Sequence, residues 1–201
     1  MLASSLAEEE TMTRACACAL AVAAVLAPGP AAAFRVKSLF TTVELQSCKQ
    51  VERHRDGGAW RCDGLPGYPV YVAEGDLRQF VSMGENAATR RAATQTLGPF
   101  NSIFERGSRR ATIEWRFVRR GERQIPYAAI VRFHTTHEGR KGEVFVVFKV
   151  SPSETCHSAH VDALANPEAI ALARRVADET ARVFDCSKEP SAVGATGRSP
   201  M

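Results

Sequence analysis

Residues 111–150 read ATIEWRFVRRGERQIPYAAIVRFHTTHEGRKGEVFVVFKV, three apolar-rich runs separated by two polar turns. Ile113, Trp115 and Phe117 alternate with Thr112, Glu114 and Arg116 in the first run. Tyr127, Ala129, Val131 and Phe133 do so in the second, and Val144, Val146, Phe148 and Val150 in the third. A period of two in β-branched and aromatic side chains predicts strands with a buried face. The short connections around Gly121 and around Gly139 and Gly142 return the chain alongside itself, which predicts an antiparallel meander.

Working outward, Leu39–Gln46 alternates as an earlier strand, and residues 69–84 (PVYVAEGDLRQFVSMG) predict a hairpin turning at Glu74-Gly75-Asp76. Residues 49–58 are charged and end in two glycines, which predicts a surface loop. Alanine-rich residues 85–97 predict a thin surface helix stopped by Gly98-Pro99, and residues 100–110 a loop. The polar stretch after Val150 predicts only a short strand around His160 and Val161. Asn166 as N-cap, Pro167 at the first helical position and an apolar stripe through Ala173, Ala177, Ala181 and Phe184 predict a C-terminal helix. The fold expected is α+β, an antiparallel sheet of about six strands with the C-terminal helix packed on one face.

Both ends have a different character. Met12-Thr13-Arg14, the apolar run Ala15–Leu26 and Ala31-Ala32-Ala33 match the three regions of a signal peptide over residues 1–33. The glutamates Glu8, Glu9 and Glu10 oppose the charge such a region needs, which makes Met12 the expected start. The apolar run is well short of the ~20 residues a membrane span requires, and no second one follows, so the mature product is expected in the periplasm or secreted, without a transmembrane anchor. Residues 34–187 are expected as a single domain and 188–201, rich in Ser, Gly, Ala and Pro, as a disordered tail. Loss of residues 1–33 removes three carboxylates and one guanidinium, and the formal net charge rises from +4 to +6.

Four cysteines follow the signal peptide, and an even number in an exported chain implies disulfides. Of the three pairings, Cys48–Cys62 closes a charged loop that nothing else tethers. Cys156–Cys186 ties the segment before the last helix to that helix's end. On a simple loop model each contributes roughly 3–4 kcal/mol.

The runs GYPVYVAEGDLRQFVSMG (67–84), TQTLGPFN (94–101), TIEWR (112–116), CHSAHVDALANPEAIALARRVAD (156–178) and FDC (184–186) resemble a group of exported, uncharacterised single-domain proteins of Gram-negative bacteria. The resemblance implies export, two cysteine pairs and one domain, and brings no activity with it.

Arginine carries the main chemical signal. Arg106, Arg109, Arg110, Arg116, Arg119, Arg120 and Arg123 face only Glu114 and Glu122 over 18 residues. Guanidinium forks suit phosphate and carboxylate, so the expectation is a non-enzymatic protein binding an anionic envelope component or a protein partner through a basic sheet face. The exported location argues against nucleic acid. A second expectation uses His134, His137, His157 and His160 as metal ligands such as zinc or copper would take, if the segment after Val150 folds back over the sheet. A third is an envelope hydrolase beside His134, His157 and Asp76, with Glu74 and Asp76 as a carboxylate pair. The chain has no G-x-S-x-G, P-loop or G-x-G-x-x-G motif, and no cofactor is implied.

Overall fold

The computed structural model describes residues 37–105 and 107–201. The signal-peptide segment and Arg106 therefore lie outside the described residues. The predicted meander is there: β7 (Arg110–Arg120), β8 (Arg123–His137) and β9 (Arg140–Val150) pair antiparallel in sequence order. Glu138 and Gly139, both at positive φ, make the two-residue turn from β8 to β9.

The sheet differs from the one expected. β1 (Lys37–Glu44) joins β7, β10 (Thr155–Asp162) joins β9, and β11 (Ser191–Ala192) lies parallel to β10. A short β6 (Phe100–Ser102) pairs with the end of β8 and completes a seven-stranded mixed sheet. A second, four-stranded antiparallel sheet is formed by β2 (Lys49–His54), β3 (Gly57–Leu65), β4 (Tyr68–Gly75) and β5 (Arg78–Met83). Thus the four-stranded sheet is inserted in sequence between β1 and β7, which are neighbours in space.

Two cores give three layers. Val70, Val72, Val81 and Met83 from the small sheet meet Ile113, Trp115, Val131, Phe133, Val146 and Phe148 from the large one. Trp115 is fully buried, and its indole N–H donates to Thr41 Oγ1 at 2.8 Å. The opposite face of the large sheet presents Ala128, Ile130, Val147, Ala159 and Val161 to α1 (Ala169–Glu179). The helix answers with Ala169, Ala173, Val176 and Ala177, all buried. Small side chains on that stripe let the helix axis approach the strands closely.

Several expectations are corrected. Residues 49–58 form β2 and the turn into β3; the strand was hidden because every residue of β2 is exposed, so its sequence has no apolar face. Residues 85–97 form two 3-10 turns, Ala87–Thr89 and Arg91–Thr94, rather than a helix. Arg90 between them is extended, its guanidinium bonded to the carbonyls of Glu85, Pro152 and Ser153. Ala92 and Leu97 are buried, not surface. The loop after Pro99 is clamped by two buried amides. Asn101 donates to the carbonyls of Leu97 and Pro99 and accepts from Gln79 N, while Gln79 Oε1 accepts from Ile103 N.

The C-terminal helix begins two residues late and ends before Phe184, with a 3-10 turn over Ala181–Val183. Asn166 does not cap it; its side chain bonds Asp162 O, Ala195 O and Ala195 N instead. Ala195 belongs to the segment expected as a disordered tail, and that segment is placed. Asp162 accepts from Leu164 N and Ala165 N with one carboxylate oxygen, and from Arg198 N and Ser199 N with the other. Ser199 Oγ donates to Glu143 O and accepts from Glu143 N. Gly142 leaves the room for this crossing, since a Cβ there would stand 2.6 Å from Ser199 Cβ and Pro200 Cδ. Both predicted disulfides, Cys48–Cys62 and Cys156–Cys186, are present.

Candidate functional site

The helix face of the large sheet is wider than the helix. An 11-residue helix spans ~16 Å, whereas the six strands that lie side by side, at ~4.8 Å spacing, extend about half as far again. Where α1 begins, the uncovered part forms a groove of about 540 Å³ whose lining includes Phe40, Arg110, Glu114, Arg132, His134 and Arg174. It takes those side chains from β1, β7, β8 and α1. Alternation explains the choice: Ile130, Arg132 and His134 are the helix-facing positions of β8, two apart.

Behind the groove lies a buried polar network. Arg116 makes a fork to Asp178 at 2.9 and 2.6 Å, and its third nitrogen donates to Ser38 Oγ at 2.5 Å. Tyr127 OH donates to Asp178 at 2.6 Å. Tyr127 is the extra residue of a bulge in β8, opposite the Arg116–Phe117 step, so it and Ala128 share the helix side. Burial opposes the charge on Arg116, but the Asp178 hydrogen bond and charge outweigh it and raise the pKa. Burial, then the bond to Asp178, pushes Tyr127 up to about 12. Glu114, nearly inaccessible, accepts from Ser38 Oγ and takes Arg174 Nε at 2.8 and 3.1 Å. The network sets the rotation of α1 on the sheet, since losing one member leaves an uncompensated buried charge.

The six described arginines, Arg109, Arg110, Arg116, Arg119, Arg120 and Arg123, do not make one surface. Arg116 is buried and structural. Arg109 and Arg110 sit at one end of β7, and Arg119, Arg120 and Arg123 at the hairpin beyond its other end. Eleven strand residues put ~35 Å between those ends. The face carrying Arg116 lies under α1, so the basic open sheet face expected from the sequence is not formed. Arg110 and Arg132 do reach the groove, with side chains 66% and 50% exposed. Arg132 also stacks over Phe145 at 5.0 Å and bonds Glu143 at 3.0 Å. Arg132 and Arg174 are the groove cations the sequence reading missed; only their positions on β8 and α1 mark them.

The four histidines do not converge. His134 lines the groove and His137 is exposed at the end of β8. His157 and His160 do meet, on the other face of the sheet, with His157 Nδ1 3.1 Å from His160 Nε2. Residues three apart normally face opposite ways, but Ser158 is the extra residue of a bulge, which restores both rings to one side. His157 is packed edge-on against Phe148 and Phe133, and its Nε2 has no partner among the described residues. Burial, then the neighbouring His160, holds His157 well below the usual histidine range; burial lowers His160 to about 4. They form a neutral pair in the core. Among the described residues no group of three His, Cys, Asp or Glu side chains is placed to hold a metal ion.

Asp76 is exposed in the β4–β5 turn, paired to Arg78, and Glu74 bonds Gln79. His134, His157 and Asp76 thus stand on the helix face of the large sheet, in the inter-sheet core and at the tip of the small sheet, and share no site. No helix among the described residues is long and apolar enough to cross a membrane. Comparisons with family models, with curated proteins and with solved structures found no match.

Proposed function

We propose that this is a non-enzymatic exported protein, periplasmic or secreted, that binds an anionic component of the cell envelope, or an acidic protein, in the groove beside α1. Arg174 carries the reading. Glu114 engages only its Nε, so its four terminal N–H groups have no protein acceptor among the described residues. Arg132 spends one donor on Glu143, and among the described residues Arg110 is held only by Glu44 at 3.8 Å. Two of the three groove carboxylates, Glu114 and Glu143, are paired by these contacts, Glu105 stays exposed, and guanidinium donors remain open. Phe40 and Ile170 add an apolar wall, which suits an anion carried on a partly apolar body. The signal-peptide pattern, the resemblance to exported proteins and the two disulfides support the location.

The test is capture of partners from envelope extract at low and high salt. The wild type should retain an anionic component at low salt and release it at high salt. Arg132→Ala with Arg174→Ala should reduce capture at least tenfold, whereas Arg119→Ala, Arg120→Ala and Arg123→Ala together should not. Capture at neither salt overturns the proposal. Loss with the hairpin variant alone moves the binding surface away from the groove.

A further inference from the structure

Among the described residues the two sheets have four outer edges, and three are protected. The edge at β2 carries Lys49, Glu52, Arg53 and His54, all exposed, the usual guard against strand pairing. Along the edge at β5, the carbonyls of Leu77 and Gln79 are taken by Asn101 N and Thr96 Oγ1, and Gln79 N by Asn101 Oδ1. Beside β10 lie β11 and Gln95, whose Oε1 accepts from His157 N. The fourth edge is β1, reading KSLFTTVE, with no charge between Lys37 and Glu44, no Pro, no Gly and no break in register.

The hydrogen-bonding phase of β1 follows from one contact. Leu45 N donates to Arg109 O, one step beyond the Glu44–Arg110 pair. In an antiparallel ladder the bonded positions alternate, so Leu39, Thr41 and Val43 bond to β7. Ser38, Phe40 and Thr42 then turn their N–H and C=O groups outward, where no described residue meets them. Phe40 is 58% exposed at the middle of this row.

We propose that this edge is a homodimer interface, in which the β1 strands of two copies pair antiparallel across a two-fold axis normal to the sheet. A symmetric interface must be self-complementary, and this one is. With Phe40 opposite its own copy, Ser38 stands opposite Thr42, and no like charges face each other. The two Phe40 rings become cross-strand neighbours ~5.5 Å apart at Cβ, the outward amides are satisfied, and one contact removes the open edge of both copies. The proposal does not depend on the identity of the groove ligand.

Sedimentation of the purified exported protein from 1 to 100 µM tests it. The wild type should run as a dimer, and Phe40→Lys should weaken association at least a hundredfold. Thr42→Pro removes an N–H that points away from β7, a place where an edge strand tolerates proline. It should also yield monomer while keeping the wild-type circular dichroism. A wild type that is monomeric at 100 µM overturns the proposal, as does a dimer unaffected by Phe40→Lys.

Discussion

Acid should weaken this fold from about pH 6.5 downward, through His160. His160 has a pKa of about 4 in the folded chain against 6.5 when exposed. The unfolded chain therefore binds the proton first as pH falls, and the stability from keeping the ring neutral is complete above pH 6.5. It is lost progressively down to about pH 4. At ~1.4 kcal/mol per pH unit, His160 alone should remove about 2 kcal/mol at pH 5, approaching about 3 below pH 4. His157, also depressed, acts in the same direction. For a chain of this size 2 kcal/mol corresponds to a fall in Tm of about 4–8 °C. Asp162 is held below the usual carboxylate range: burial raises it, but the N–H groups of Ser199, Arg198 and Ala165 more than reverse that. Its loss therefore falls at lower pH and does not confuse the comparison. The assay is thermal unfolding at pH 7 and pH 5 with the disulfides intact, for the wild type and His160→Gln. The variant should lose about 2 kcal/mol less between the two. Equal losses would mean that the rings are not kept neutral by burial, and would refute the reasoning.

Two other outcomes are expected. Ala177 is fully buried under α1, so Ala177→Asp should cost about 3 kcal/mol or more; a wild-type melting curve would show that the stripe does not face the sheet. Asp162→Ala leaves four backbone N–H groups without their acceptor and should cost on the order of 3 kcal/mol. Amide exchange at Arg198 and Ser199 should rise, and unchanged exchange there would mean that Asp162 does not hold the tail.

The meander and both disulfides were legible because alternation and loop closure are local properties of the chain. Of β10 only the end around His160 and Val161 was, because Ser158 breaks the period of two and because Thr155, Cys156 and His157 are buried without being conventional core residues. Order in the tail comes from backbone N–H groups captured by Asp162, and hydrophobicity gives no hint of it. Arg116 looks like its neighbours in sequence; its burial depends on Asp178, 62 residues away. Nor does any run of sequence announce the groove, whose side chains come from five elements and the loops between them.

The insertion of the small sheet between β1 and β7 has a kinetic consequence. Strands β2 to β5 each pair with the next in sequence and form through short turns. β1 must find β7 across the 65 residues between Glu44 and Arg110. At ~0.6 kcal/mol per doubling of loop length, that closure costs about 2–3 kcal/mol more than a hairpin. Folding of an intervening unit shortens the effective loop, so the meander β2–β5 should be structured before β1 docks. Non-local pairing of this kind slows folding, so closure of the large sheet along β1 is expected to come late.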